Sequence, residues 1–133
     1  MDDEIKNIDP IIQHWRVSSD QDYATMQNLI KIRDYSWALF LGHLVIEKLL
    51  KALYVKTLQK HPLFSHDLLR LARKTDLELP GAYDEWLDEI TTFNLNARYD
   101  NYKQSFRELC TENFSNEWIE KIEKIRQWLI NQL

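Results

Sequence analysis

The segment between Phe93 and Lys103 concentrates side chains that suit contacts with phosphates and bases. Its polar and aromatic members are Asn96, Arg98, Tyr99, Asp100, Tyr102 and Lys103. Arg98 carries a planar guanidinium that pairs well with phosphate oxygens, and the flanking tyrosines can stack on bases. The segment therefore indicates a contact site for a nucleotide, RNA or a partner. The alternative is structural: Arg98 would bond carbonyl oxygens at a helix end, and the tyrosines would be half-buried packing residues.

The remaining residues that could do chemistry are scattered along the chain. His61 and His66 lie five apart across a proline, and His14 and His43 are isolated. This arrangement contains no HExxH or paired-cysteine pattern, so we predict no metal site and no cofactor. His66 precedes a predicted helix, where a histidine is more often a hydrogen-bonding residue than a base. A thiol enzyme built on Cys110 would need a neighbouring base, and the sequence shows none.

The stretch Trp37–Leu58 is predicted to be the central helix that positions these residues. Its apolar side chains fall on nearly every side of a helix, as expected for a helix enclosed by others. His43, Glu47 and Lys51 are spaced four apart, so we expect them to form one solvent-exposed column. Gly42 leaves room for a close neighbour.

Helices are also predicted on both sides of this stretch. Before it, we expect a short helix within residues 4–16 and a second helix from a cap at Ser19 to Arg33. Asp34 should cap the central helix, which should end near Lys60 because Pro62 disfavours the helical conformation at His61.

Downstream, the pattern predicts three further helices and one stretch of undecided structure. Ser65 should cap a short helix, and a longer helix should start near Ala82 and be interrupted at residues 94–96. Residues 97–114 fit either a helix or an extended loop pinned to the others. Ser115 should cap the last helix, which carries Trp118 and Trp128.

Composition limits the class of protein. With 133 residues, two Gly and three Pro, we predict one all-α domain over residues 1–133, an antiparallel up-and-down helical bundle of four to five main helices. The net charge of −4 argues against a general electrostatic grip on nucleic acid, although a local basic patch remains compatible with it. A single cysteine and the absence of a long apolar run predict a cytoplasmic protein that does not enter a membrane.

Three short motifs occur in order along the chain. They are EKLLKA at residues 47–52, His66-x-Leu68-x-x-Leu71, and Asn96-Ala97-Arg98-Tyr99-Asp100. Each alone is weak, but the ordered set resembles the HEPN (higher eukaryotes and prokaryotes nucleotide-binding) domain family from about Trp15 to Trp128. The resemblance implies that Glu47, Lys48, Lys51 and His66 are signature positions with mainly structural roles.

The resemblance also implies partners and an activity. Small members commonly form homodimers, are often encoded beside a minimal nucleotidyltransferase, and many such pairs behave as toxin and antitoxin. Toxic members are metal-independent ribonucleases with an Arg followed, after a short spacer, by His. In this chain the corresponding positions after Arg98 hold Lys103, Gln104 and Ser105, which speaks against that activity.

Three hypotheses follow. The first is a non-enzymatic or weakly active HEPN-like protein that works with a nucleotidyltransferase and binds nucleotide or RNA near Arg98. The second is a ribonuclease with a non-standard active site, in which Asp100 or Tyr102 replaces the missing His. The third is a structural dimerisation module whose surplus tryptophans, for example Trp118 or Trp128, form the interface.

Overall fold

The computed structural model describes residues 5–133, and within them it contains six α-helices and no strand. The helices are α1 (Asp9–Lys31), α2 (Tyr35–Leu58), α3 (Leu68–Lys74), α4 (Tyr83–Arg98), α5 (Asp100–Leu109) and α6 (Glu112–Gln132). Four of them are long, and α3 and α5 are short. The predicted all-α bundle is confirmed.

α2 is the centre of the bundle and contacts each of the other five helices. Side chains from nearly every side of α2 are fully buried, among them Leu39, Val45, Ile46 and Leu50. Gly42 faces α6 so closely that a Cβ atom there would lie 2.6 Å from Ile122 Cδ1. The glycine therefore permits the close approach of α2 and α6.

The four long helices alternate in direction. α1 runs antiparallel to α2, since Trp15 lies beside Lys51 while Ser19, further along α1, bonds Val45. α4 and α6 are also antiparallel: Tyr83 packs on Trp128 at one end, and Phe93 packs on Phe114 at the other. This is the up-and-down order expected of a bundle with short connections.

The two helices predicted before α2 are one continuous helix. α1 begins at Asp9, with Pro10 in its first turn. Ser19 does not cap a helix; it is fully buried and its hydroxyl donates to the Val45 carbonyl at 2.9 Å. Asp22, three residues after Ser19, pairs with Lys48 at 2.6 Å. Contacts across to α2 thus account for both residues.

α4 is not interrupted at residues 94–96. Phe93 and Ala97, one turn apart, are both buried and keep this part of the helix packed on the core. The break comes at Tyr99, whose extended backbone (φ −84°, ψ 132°) ends α4 and starts α5. The uncertain stretch after Arg98 is therefore a helix up to Leu109, not an extended loop.

Two predicted caps are displaced by a few residues. α3 is capped by Asp67, whose carboxylate accepts from the Arg70 amide, and α6 is capped by Thr111. Ser115 is buried within α6. α2 ends at Leu58, where Gln59 adopts a left-handed conformation, close to the predicted end.

The tryptophans proposed for a dimer interface are not free surface residues. Trp118 is buried against Phe93, and Trp128 is half-buried with its ring against Tyr83. Both rings belong to an aromatic layer between α4 and α6. Among residues 5–133 no helix is both long and apolar enough to cross a bilayer.

Candidate functional site

One side of α2 carries two groups of side chains that differ in exposure. The buried cluster consists of His43, Glu47 and Lys51 of α2 with His66 from the loop before α3. The cationic aromatic surface consists of Trp37 and Phe40 of α2 with Arg98, Tyr99 and Lys103 from the α4–α5 junction. The two groups lie along the same side of the helix, with Phe40 and Glu47 about 10 Å apart along its axis.

The buried cluster is organised around the Glu47 carboxylate. Glu47 Oε1 accepts from His66 Nδ1 at 2.7 Å, and Glu47 Oε2 accepts from Lys51 Nζ at 3.1 Å. His43, Glu47 and Lys51 are 0%, 4% and 7% exposed. The predicted solvent-exposed column was therefore wrong, because the loop carrying His66 and the ring of Trp15 on α1 cover it.

His43 is held as a neutral imidazole. Its Nε2 lies 3.0 Å from the backbone oxygen of His66, which can only accept, so Nε2 carries the proton. Its Nδ1 is buried and has no hydrogen-bond partner among the described residues. Burial lowers the pKa of His43 more than the His66 carbonyl and the Glu47 carboxylate raise it. A second proton at Nδ1 would place an unsolvated charge in the core.

His66 differs from its neighbours because its side chain is half-exposed, at 53%. With Nδ1–H donating to Glu47, the other ring nitrogen, Nε2, keeps its lone pair in the neutral form. A carboxylate that orients an imidazole in this way is an arrangement seen around basic histidines. His66 thus joins the buried cluster to solvent, as the hydrogen-bonding residue that the sequence suggested.

Arg98 is placed by the last turn of α4. Its Nε donates to the Asn94 carbonyl at 2.9 Å, which is the structural role offered above as the alternative. The guanidinium also lies over two rings, 5.7 Å from the Phe40 centroid and 5.5 Å from that of Tyr99. The side chain is exposed, and no carboxylate among residues 5–133 forms an ion pair with it.

Lys103 extends this surface along α5. Its ammonium lies 5.4 Å from the Trp37 ring centroid, and it too has no ion-pair partner in the described part of the chain. Tyr99 is 51% exposed. Two positive charges thus stand on aromatic rings at the surface, an arrangement favoured by the ring quadrupole.

The other predicted site residues lie elsewhere. Asn96 and Tyr102 line a shallow groove between α4 and α5. Asp100 is exposed in the first turn of α5, where a carboxylate favours the positive end of the helix dipole. Lys48 forms an ion pair with Asp22 and so connects α2 to α1. The structure therefore brings together Arg98, Tyr99 and Lys103, but not the whole predicted set.

Cys110 and the possible metal ligands are the other groups that could take part in catalysis. Burial raises the pKa of Cys110 to about 11, so the thiolate that would act as a nucleophile is scarce near neutral pH. Within residues 5–133 no group of three His, Cys, Asp or Glu side chains is placed to hold a metal ion.

Sequence reasoning missed Trp37 and Phe40 as parts of the surface and His43 as a neighbour of His66. The signal that could have found Phe40 and Trp37 is their spacing, since both lie on the side of α2 that carries Glu47. No sequence signal indicates that the loop before α3 folds back over that side.

Comparison with known families is consistent with the helical architecture. The model of the HEPN domain matches residues 12–133 of the chain. No curated protein and no solved structure matches it. Because the family model covers nearly the whole sequence, the chain belongs to the HEPN domain family.

Proposed function

We propose that this HEPN protein binds single-stranded RNA or a nucleotide on the cationic aromatic surface. One observation carries the proposal: Arg98 and Lys103 lie over exposed or half-buried rings and have no ion-pair partner among the described residues. On a chain of net charge −4, such unpaired cations would be available to phosphates.

The chemistry of this surface fits a single strand better than a duplex. Aromatic rings stack on bases of any sequence, while neighbouring cations track the phosphates, and each stacked base contributes about 1–3 kcal/mol. Arg98 can stack on rings and still present N–H groups to a phosphate. A duplex keeps its base faces inside and would leave the rings unused.

We also propose that the protein forms a homodimer and works with a nucleotidyltransferase partner in a toxin–antitoxin-type pair. Membership of the HEPN family supports the partner, because the resemblance implies that small members are often encoded beside a minimal nucleotidyltransferase. The exposed apolar side chains Leu95 and Leu109, at 44% and 51%, support a contact between copies along α4 and α5. Light scattering of the wild type and of Leu109→Lys tests the dimer, and affinity purification from the native host tests the partner.

RNA binding is tested by fluorescence anisotropy with a labelled single-stranded RNA. We expect Arg98→Ala to weaken binding by about tenfold or more. The matched control is Lys121→Ala, because Lys121 also lies over tryptophan rings but is paired with Glu117. Equal affinities for the wild type and Arg98→Ala, or no binding at all, would refute the proposal.

A second candidate function, metal-independent RNA cleavage, is favoured by the half-exposed His66. Glu47 would orient the imidazole, and Nε2 of His66 would accept the proton of a ribose 2′-OH as it attacks the adjacent phosphate. The new P–O2′ bond would form as the P–O5′ bond breaks, the leaving 5′-oxygen would take a proton from water, and a 2′,3′-cyclic phosphate would remain. His66, rather than Asp100 or Tyr102, is the better replacement for the missing His because a buried carboxylate fixes its tautomer.

Cleavage is tested on total RNA with EDTA present. The wild type, His66→Gln and Arg98→Ala are prepared in parallel to exclude a contaminating nuclease. Cleavage that disappears in both variants supports the enzyme, whereas identical activity in all three preparations points to contamination. If the wild type binds RNA but leaves it intact, cleavage is refuted and binding remains the proposed function.

A further inference from the structure

The loop before α3 presents one aromatic ring entirely to solvent. Phe64 is 100% exposed, whereas the next most exposed large apolar side chain within residues 5–133 is Ile32, at 71%. The ring belongs neither to the buried cluster nor to the cationic aromatic surface. Because both of its faces are uncovered, it is available to a flat ligand.

The backbone holds Phe64 in this position. The Ser65 amide donates to the Leu63 carbonyl at 2.9 Å, which makes Phe64 the central residue of a γ-turn. Since Phe64 does not have a positive φ, the turn is of the common inverse type. Leu63 packs against the core before the turn, and His66 is bonded to Glu47 after it. The exposed ring is therefore carried by a turn that is attached to the bundle on both sides.

A second exposed ring stands beside Phe64. The ring centroids of Phe64 and His66 are 6.3 Å apart, and their planes are inclined by 54°. His66 is half-exposed, and the bond from its Nδ1 to Glu47 fixes the orientation of its ring. Adjacent exposed aromatic rings are the platform on which proteins that bind single strands stack bases.

The charges around Phe64 are compatible with an anionic chain. Residues 59–66 include Lys60 and two histidines but no carboxylate. Two carboxylates close to this loop are engaged, since Asp67 caps α3 and Glu47 is buried and bonded by Lys51 and His66. A phosphate beside Phe64 would therefore meet no carboxylate of the loop itself, although the chain as a whole carries a net charge of −4.

Phe64 lies along the side of α2 on which the strand is proposed to bind. Arg98 lies over Phe40, and His43 follows Phe40 by about one helical turn. The rings of His43 and His66 are 6.3 Å apart, so His66 covers this next turn. Burial is the largest cause that lowers the pKa of His43 and the charge of Arg98 is a smaller one, as expected if Arg98 lies near the same turn. A strand that leaves Arg98 along α2 reaches His66 and then Phe64.

A base fits this position better than a second protein chain does. A stable protein interface buries about 800 Å² on each partner around an apolar centre. The other exposed side chains of this loop and its end are polar, namely Lys60, His61, His66 and Asp67. The loop thus offers one flat apolar ring, which a single base can cover.

We propose that Phe64, flanked by His66, is a second base-stacking position for the strand held on the cationic aromatic surface. The inference rests on the proposed RNA-binding function. It adds the direction of the strand, which runs from the α4–α5 junction along α2 to the loop before α3.

Variants at position 64 test the contact without disturbing the core. Because the Phe64 side chain is fully exposed, Phe64→Ala, Phe64→Leu and Phe64→Trp should leave the midpoint of urea denaturation unchanged. Phe64→Leu keeps an apolar side chain but removes the aromatic face, and Phe64→Trp restores an aromatic face. Ile32→Ala, which removes an exposed apolar side chain at the α1–α2 turn, is the matched control.

The first measurement is the affinity for a labelled single-stranded hexanucleotide RNA, by fluorescence anisotropy. We expect Phe64→Ala and Phe64→Leu to bind about fivefold or more weakly, and Phe64→Trp and Ile32→Ala to bind as the wild type does. Wild-type affinity of Phe64→Ala or of Phe64→Leu would overturn the inference. Light scattering on the same preparations tests the other occupant: a wild-type dimer that dissociates in Phe64→Ala would assign the ring to an interface between copies and would also overturn it.

The second measurement locates the stacked base. Hexanucleotides carry the fluorescent base 2-aminopurine at one position each, and stacking on an aromatic ring quenches its fluorescence. We expect one position whose quenching is lost in Phe64→Ala and a different position whose quenching is lost in Tyr99→Ala. If the same position responds to both variants, the two rings contact one base and the second position is refuted.

The two measurements also separate this inference from the proposed function. A wild type that binds no hexanucleotide refutes RNA binding itself, and the base-stacking position with it. A wild type whose binding depends on Arg98 but not on Phe64 refutes only the base-stacking position.

Discussion

The buried cluster and the cationic aromatic surface occupy the same side of α2, but they differ in whether their charged side chains are paired. In the cluster, Glu47 is enclosed and its carboxylate is bonded by Lys51 and His66. On the surface, Arg98 and Lys103 lie over rings without a counter-ion among the described residues. Paired buried charges hold a structure together, whereas unpaired exposed charges remain available to a ligand.

The three motifs of this chain contain residues of both kinds. Glu47 of the EKLLKA motif fixes the loop before α3 against α2 through His66, and Lys51 pairs with Glu47. Arg98 stands at the end of α4, where its Nε donates to the Asn94 carbonyl and no carboxylate among residues 5–133 pairs with the guanidinium. We therefore expect changes in the cluster to alter stability and changes on the surface to alter binding.

The largest effect should come from removing Glu47 alone. Glu47→Leu leaves the buried ammonium of Lys51 and the ring of His66 without an acceptor, and we expect a loss of about 3 kcal/mol in the free energy of unfolding. Urea denaturation measures it. Glu47→Leu combined with Lys51→Met removes both charges and should cost much less. If Glu47→Leu alone were as stable as the wild type, the cluster would not hold the loop before α3.

The next effect should appear in binding without a change in stability. Replacing Arg98 and Lys103 together with alanine should weaken RNA binding by about a hundredfold while the free energy of unfolding stays within about 0.5 kcal/mol. Anisotropy and urea denaturation on the same preparations test this. If the double variant loses several kcal/mol in the free energy of unfolding, the cationic aromatic surface also stabilises the fold, and the contrast between the two regions fails.

A smaller effect should come from the pH dependence that His43 gives to stability. Its folded pKa lies below the unfolded value of about 6.5, so below that pH the unfolded chain binds a proton that the folded chain does not. The free energy of unfolding should therefore fall as pH drops below about 6.5, by at most about 1.4 kcal/mol per unit.

The comparison for this pH dependence is His43→Asn, which removes the titrating ring. Its stability should decline less steeply with falling pH than that of the wild type. His14→Gln, at an exposed position, serves as the control and should leave the slope unchanged. Parallel curves for the wild type and His43→Asn would contradict the assignment of a neutral His43.

The smallest effect should separate stacking from hydrogen bonding on the surface. Tyr99→Phe keeps the ring and should bind RNA as the wild type does, whereas Tyr99→Ala should bind about fivefold or more weakly. Anisotropy measures both. Equal losses in the two variants would mean that the hydroxyl, not the ring, makes the contact.

The helical class and the central position of α2 were predictable because they depend on local patterns. Apolar side chains on nearly every side of residues 37–58 require neighbours all round, whichever helices provide them. The boundaries within residues 9–31 were not predictable, since Ser19 is a good cap in isolation. Only its contact with Val45 shows that it belongs inside a helix.

The candidate site was predictable only in the part that is local in sequence. The short segment 98–103 contains Arg98, Tyr99 and Lys103. Their residue types already suggested a contact with phosphates and bases. The exposure of His43, Glu47 and Lys51 was predicted wrongly, because it depends on where the loop of His66 and the ring of Trp15 lie. The spacing of residues along one helix does not indicate which distant parts of the chain will cover them.

The most direct test of the central claim is to locate bound RNA by cross-linking. A single-stranded RNA containing a photoreactive uracil would be irradiated with the protein, and the modified residues identified by mass spectrometry. We predict adducts on Trp37 or Tyr99 that are lost in Arg98→Ala. Adducts confined to the α4–α6 aromatic layer, at Trp86 or Trp128, or adducts that persist in Arg98→Ala, would contradict the account.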